Sequence, residues 1–474
     1  MLGICREIFS ELLKKEVDYC HWKSNEHLKE GLDGKTDLDI LVAEKHIGKF
    51  QSTLITCRCI KVRPQVGSRY PKVEEWVGFD SETGRLIHLH VHFRIVTGTK
   101  HLKEYIIPWH DLALQTKVLD ETEEVYVMEP NLELIVLYLR IVLKQLREWD
   151  RFEISRDYRK EILWLRQRVN PQSVAKLIDM VWKDGKEEFL QILLHEKIEK
   201  RDFEKLKILI ENQIKPVRRG KLFQNIEIQK IRQWTVRSKY MLEQTWEIVP
   251  FTSLKTLYGR GLVIAFIGCD GSGKSSITKE INNWLRWKLD SQNFYFGMGD
   301  RYKKPLVFKL SQNRLLPEGV CKFCSLLFYY GISLRGKYMR KLMDCYVNKG
   351  GIAICDRYPQ TQFKGIYDGP KIQAMKLYEN TSFGKFFIKM EEKNIRKVES
   401  AKKDCIFKLI LPPELAVQRS PGHQIGEVKR KAKITEQLNF SSCDVYEIDA
   451  TQPYDKELLL IKGIIWDKIV QSQL

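Results

Sequence analysis

Several things are scarce in this 474-residue chain. No apolar run approaches the roughly 20 residues of a membrane-spanning helix. Met1-Leu2-Gly3-Ile4-Cys5-Arg6-Glu7 meets charge too soon for a signal-peptide core, so the expected location is the cytosol. The 11 cysteines, an odd number, follow no paired spacing, which argues against a disulfide framework and for reduced thiols. Cys57-x-Cys59 and Cys321-x-x-Cys324 are the close pairs; neither has a second half, so no structural zinc site is expected. There is no internal repeat, low-complexity tract or long basic tail.

Positive charge is in excess: 80 Lys and Arg stand against 61 Asp and Glu, a net +19. An anionic ligand fits that balance. The basic clusters are short, as in Lys429-Arg430-Lys431-Ala432-Lys433, and such clusters are ordinarily solvated helix faces. Small phosphorylated molecules are therefore the expected partners, and nucleic acid is not.

The sequence changes texture twice. Residues 1–130 mix short alternating strands with turns: Leu38–Val42, Leu86–Phe93 and Glu124–Met128. Residues 131–253 are charged and helical, with Leu132, Ile135, Val136 and Leu139 at helical spacing. Residues 254–474 alternate strands with helices, the pattern of a parallel sheet with crossovers.

The most informative segment is Gly268-Cys269-Asp270-Gly271-Ser272-Gly273-Lys274-Ser275. An apolar strand, Leu262–Ile267, precedes it, and Ile277, Ile281 and Leu285 follow at helical spacing. This is a phosphate-binding loop. Gly268, Gly271, Ser272, Gly273, Lys274, Ser275 and Ser276 are expected to cradle ATP: backbone N–H groups around the β-phosphate, Lys274 on the β and γ oxygens, and the Ser275 hydroxyl on Mg²⁺.

Asp270 inside the loop would repel phosphate, so its carboxylate is better placed to accept from a hydroxyl of a second substrate; the alternative is a loop-bracing turn residue. A second apolar strand, Gly351–Cys355, ends in Asp356-Arg357-Tyr358. Ligands of open α/β sheets lie beyond the carboxyl ends of the strands, which directs Asp356 and Arg357 at the phosphate-loop crevice. Asp356 can hold Mg²⁺ or orient the acceptor, and Arg357 can fork onto an acceptor phosphate; a structural salt bridge is the alternative.

The Asp270-containing loop together with Asp356-Arg357-Tyr358 resembles the thymidylate kinase family of nucleoside monophosphate kinases. Phe407–Glu414 followed by Arg419 is similar to that family's step into its lid, and Val445–Ala450 to its final strand. The resemblance implies a five-stranded parallel sheet with a helical lid, ATP and a nucleoside 5′-monophosphate meeting head to head, and Asp270 on the acceptor's 3′-hydroxyl. Some members place a basic residue in the loop where this chain has Gly271, so cations of the lid, Arg419, Lys429, Arg430 and Lys431, are expected over the γ-phosphate. Where the family offers Arg-Glu-Pro after its second strand, this chain reads Gly297-Met298-Gly299-Asp300-Arg301; Arg301 is the residue able to fill the acceptor-binding role, and thymine specificity is left open.

Near the start, Gly34-Lys35-Thr36-Asp37-Leu38-Asp39 sets two carboxylates one residue apart on a strand, able to hold Mg²⁺ with a triphosphate. With Trp22-Lys23-Ser24-Asn25 it resembles the nucleotidyltransferase superfamily, which implies a third carboxylate on a neighbouring strand. The expected partner strand instead carries His88, His90 and His92 on one face. Two readings stay open for them: ligands of a transition metal, or polar residues of a half-buried sheet.

The expected whole is an α/β protein: an α+β nucleotidyltransferase-like domain over residues 1–130, a helical connector over 131–253, and a P-loop kinase domain over 254–474. Its expected activity is transfer of the ATP γ-phosphate to a nucleoside monophosphate, dTMP first, with Lys274, Asp270, Asp356, Arg357, Arg419 and Arg430 catalytic and Ser275, Asp356, Asp37 and Asp39 as metal ligands. A homodimer is compatible with this reading. The alternatives are a kinase for a sugar or nucleotide of surface-polymer synthesis, and a nucleotide-binding regulator or nucleic-acid-associated protein without turnover.

Overall fold

The computed structural model describes residues 1–65, 69–99, 103–145, 154–195, 199–217, 231, 234, 238, 252–296, 306–313, 315–420, 422, 424–440 and 442–473. The chain divides into two compact units, Met1–Ser238 and Lys239–Leu474. No described helix is long and apolar enough to cross a membrane.

The first unit is built on nine described strands: β1 (Tyr19–His21), β2 (Leu38–Val42), β3 (Ile60–Val62), β4 (Val73–Phe79), β5 (Leu86–His92), β6 (Ile95–Thr97), β7 (Tyr105–Ile107), β8 (Val118–Asp120) and β9 (Val125–Val127). Seven form one mixed sheet in the order β3-β4-β5-β2-β1-β9-β8, and β6 and β7 pair as an antiparallel ribbon. Period-two alternation sorts the central strands into two faces. Leu38, Ile40 and Val42 of β2 and Ile87, Leu89 and Val91 of β5 turn into a core with Ile8 and Leu12 of the helix Gly3–Lys14 and Phe50 and Leu54 of the helix Ile47–Thr56. The opposite face carries Asp39 and the three histidines, with Asp39 level with His90 across the parallel β2–β5 pair.

The helical segment packs on the same unit. Cys20, Trp22 and Leu41 of the sheet share one core with residues of the helices Pro130–Gln145, Arg156–Arg166, Pro171–Val181, Lys186–Leu194 and Lys200–Gln213. Pro130–Gln145 is buried from Asn131 to Val142 and on through Leu143, so it is an interior helix and each polar side chain on it needs a partner. Glu133 accepts from the Asn25 side chain at 2.7 Å, Arg140 donates to Glu161 at 2.9 Å, and Asn131 accepts from the Asn170 N–H at 2.7 Å.

The second unit has five parallel strands, β10 (Val263–Gly268), β11 (Ser291–Phe294), β12 (Ile352–Asp356), β13 (Cys405–Ile410) and β14 (Asp444–Asp449), in the order β11-β12-β10-β13-β14. The expected α/β class with a five-stranded parallel sheet is what the unit has. β10 lies at the centre and is buried along its whole length, so Phe266 stacks on Phe407 at 5.0 Å while Val263, Ala265 and Ile267 face Met339, Met343 and Tyr346 of the helix Glu318–Val347. β11 ends at Phe294, and Tyr295 and Phe296 lie in the loop beyond. All eleven cysteines are free.

Candidate functional site

β10 delivers the chain to the phosphate loop, and the helix Lys274–Arg286 leaves it with Gly273 as its N-cap in the left-handed conformation (φ +87°). Gly271 is also left-handed (φ +84°), and a Cβ there would stand 2.3 Å from the Ala416 carbonyl oxygen. No side chain fits at that position, so no cation can stand there and Lys274 is the loop's own positive charge. Lys274 is folded onto the loop, donating to the Cys269 carbonyl at 2.6 Å. Burial pushes its ammonium down to about 8, with Asp356 opposing and Arg357 adding to the shift.

The β10–β12 register sets Asp356 level with Phe266, two residues short of the loop. The Ser275 hydroxyl donates to Asp356 Oδ2 at 3.0 Å, and Asp356 Oδ1 is shielded from solvent without a hydrogen-bond partner. A hydroxyl beside a carboxylate with a spare oxygen is the hard-oxygen set Mg²⁺ takes, and the residues present fit the ion. Arg357 follows with a positive backbone angle (φ +82°), costly for a non-glycine residue and held by its N–H donating to the Phe266 carbonyl at 3.0 Å. Its guanidinium lies 4.0 Å from Asp270 Oδ1 and 5.9 Å from the centre of the Tyr295 ring. Tyr358 is interior: its hydroxyl accepts from Arg340 at 2.8 Å and donates to the Val398 carbonyl at 3.1 Å.

Asp270 meets Lys431 of the helix Ile425–Gln437 in a charged hydrogen bond. Burial alone would raise the Asp270 carboxyl; Lys431, with Lys274 and Arg357 behind it, outweighs that and holds it below the usual range. A narrow pocket with a cavity volume of about 30 Å³ is lined by Phe296, Tyr329, Asp368 and Glu391, among others. Asp368 Oδ2 is buried there without a partner, on a turn where Tyr367 and Asp368 both have positive φ.

Relatives of this chain are ATP-binding proteins by name. One, "Uncharacterized ATP-binding protein YghS" of Escherichia coli (strain K12), is 28% identical over 219 residues, covering 41% of this chain and 89% of the relative. Another, "Uncharacterized ATP-binding protein YghR" of the same strain, is 26% identical over 231 residues, covering 45% of this chain and 90% of the relative. Among solved structures, a deoxyadenosine kinase from M. mycoides with bound dATP aligns at a TM-score of 0.29 and 14% identity, over 43% of this chain and 98% of that one. No family model matches the sequence.

Of the expected site residues, the structure brings Asp270, Lys274, Ser275, Asp356 and Arg357 together, with Gly268 and Ser272 in the buried wall of the loop and Ser276 exposed on the first turn of its helix. The lid cations separate. Arg419 donates to the Ala450 carbonyl at 3.0 Å, Lys429 pairs with Glu414 at 3.4 Å, Arg430 is exposed, and Lys431 is the one on Asp270. Arg301 and the rest of Gly297–Arg301 lie outside the described residues.

In the first unit Asp37 and Asp39 go to different imidazoles. Asp37 lies 3.0 Å from His88 Nδ1, while Asp39 Oδ1 lies 2.9 Å from His90 Nδ1 and 2.7 Å from Lys23 Nζ. Glu75 of β4, a residue sequence reasoning missed, sits behind both rings: 2.7 Å from His88 Nε2 and 3.5 Å from His90 Nε2. Burial favours the protonated Asp39, but Lys23 and His90 pull the carboxyl well below its usual range. Burial also pushes Lys103 down to about 8 and Lys144 to about 7, with the Lys23 and Arg140 charges adding to both.

Proposed function

We propose that the second unit is an ATP-dependent phosphotransferase acting on a small phosphorylated acceptor. The observation that carries this reading is the pairing of Asp270 with Lys431 and Arg357 inside a phosphate loop whose Ser275 is bonded to Asp356. In a hydrolase or switch protein a carboxylate at that point of the loop could serve only as a brace, whereas a kinase needs one group to position a second substrate. The names of the relatives support ATP as the donor.

In the proposed reaction the loop N–H groups and Lys274 bind the β- and γ-phosphates, and Arg357 holds the acceptor's phosphate. An acceptor phosphate oxygen attacks the γ-phosphorus, the bond from that phosphorus to the β-bridging oxygen breaks, and ADP leaves with the electron pair. Mg²⁺, held by Ser275 and Asp356, would supply charge neutralisation on the phosphate oxygens. Asp270 accepts from the acceptor's sugar hydroxyl, and Lys431 on the helix Ile425–Gln437 brings positive charge to the loop in place of the side chain that Gly271 cannot carry. Arg419 and Arg430 remain proposed lid cations, reaching the phosphates only after that element closes.

The acceptor we propose is a nucleoside 5′-monophosphate, dTMP first, its base entering beside Phe296 and Asp368 once that narrow pocket, about 30 Å³ in the free protein, has widened. The spare Asp368 oxygen suits an N–H donor on the base edge, and Phe296 a base face. The test is ADP release from ATP with a panel of nucleoside monophosphates and sugar phosphates. Acceptor-dependent release with a nucleotide supports the reading; release only with a sugar phosphate moves the substrate class, and tight ATP binding with no release on any acceptor overturns kinase chemistry.

A further inference from the structure

The first unit carries a second constellation that the kinase reading does not use. Asp39 Oδ1, His90 Nδ1 and His92 Nε2 converge as a triangle: 2.9 Å from Asp39 to His90, 3.2 Å between the two imidazole nitrogens, and 3.8 Å from Asp39 to His92. Three donors at such spacing are what one ion leaves when each ligand stands about 2.0–2.2 Å from it. Among the described residues this is the group of His, Cys, Asp and Glu whose ligand atoms lie close enough to hold one metal.

We propose that Asp39, His90 and His92 bind a divalent transition-metal ion, with one or more positions left for water or an oxygen ligand. Two imidazoles and one carboxylate select zinc, iron or a neighbour over Mg²⁺, which prefers oxygen. Sheet order builds the site: β2 and β5 are parallel neighbours with Asp39 beside His90, and His92 follows two residues on, on the same face.

The surroundings are those of a ligand set and not of scattered polar residues. Glu75, opposite His90 on β4, lies 3.5 Å from the ring's far nitrogen, Nε2, while its hydrogen bond goes to His88; it leaves Nδ1 of His90 for an ion, from the side where carboxylates stand behind metal-bound histidines. His92 is fully buried and packs edge-on against Trp22 at 5.0 Å, which fixes its ring. Lys23 occupies Asp39 Oδ1 at 2.7 Å, a cation standing where the incoming ion's charge would be. Metal binding displaces it. Asp37 is not part of the triangle; it belongs to His88.

The test uses the full chain, stripped with chelator and titrated with Co²⁺, whose visible d–d absorption reports binding. One equivalent should bind with a visible band that is lost in Asp39→Asn and His90→Gln but kept in Asp356→Asn, which disables the phosphate-loop ion site. Glu75→Gln should weaken binding by about 10- to 100-fold. X-ray absorption of the Zn²⁺-loaded wild-type chain should show two imidazole nitrogens at about 2.0 Å. A band unchanged in folded Asp39→Asn and His90→Gln, a band lost only in Asp356→Asn, or a zinc shell without imidazole would each overturn the proposal. So would the absence of stoichiometric binding, which would leave Asp39 as no more than the ion-pair partner of Lys23.

Discussion

Lys431 donates to Asp270 from a helix 161 positions further along the chain, so the acid of the phosphate loop is neutralised by a residue outside it. In the proposed reaction the pair joins substrate positioning to the element that carries the basic cluster. Lys431→Ala is expected to lower kcat by about 10²- to 10³-fold, the scale of removing one preorganised charge donor, with KM for ATP less affected. Asp270→Ala should instead raise the acceptor KM. Steady-state ADP release separates the two, and an unaltered acceptor dependence in Asp270→Ala would return that residue to a bracing role.

The Lys274 ammonium gives the site a pH dependence. In the ligand-free loop burial holds it at about 8, below its ordinary 10.5, and a triphosphate favours the charged form. Binding therefore takes up a proton above that pH. ATP affinity should be flat below pH 8 and then fall by up to about tenfold per pH unit towards 10.5. Calorimetry in buffers of different ionisation enthalpy measures that proton, and Lys274→Met should bind weakly with no such slope.

Gly271 cannot accept even a methyl group. Its positive φ and the 2.3 Å approach of a built Cβ to the Ala416 carbonyl make Gly271→Ala strained on two counts. The expected loss is about 1–3 kcal/mol, with a lower thermal midpoint and weaker protection by ATP. An unchanged midpoint would show that the helix Pro413–Arg419 can give way.

Arg140 and Glu161 are an interior pair, 5% and 3% exposed, and so depend on each other. Arg140→Met should cost about 3–5 kcal/mol by leaving Glu161 uncompensated. Arg140→Met combined with Glu161→Leu should recover much of that, as urea denaturation can show. Equal losses in single and double variants would mean that the hydrogen bonds from Ser24 to Glu161 matter more than the charge pairing.

What was legible in the sequence was local. Glycines, Lys274 and Ser275 lie within one strand–loop–helix step, and alternation placed β2 and β5 to within a residue. Asp356 was readable because strand ends collect at the ligand side of a parallel sheet. Lys431 could not be separated from Arg419, Lys429 and Arg430, since all four sit on short exposed helices and differ only in which way each faces. Glu75 was invisible for a topological reason: β5 lies between β4 and β2, so its role behind His90 follows from strand order and not from spacing. Tyr358 read as part of a functional triplet and proves interior, because the strand ends at Asp356 and the chain turns inward after Arg357.

β5 does two jobs with one seven-residue strand: odd positions Ile87, Leu89 and Val91 fill the core, and even positions His88, His90 and His92 line the polar face. Inserting or deleting one residue within it would exchange the two sets and bury imidazoles in the apolar layer. Length changes there are thus removed by misfolding before any selection on activity begins, and the strand can diversify only by substitution.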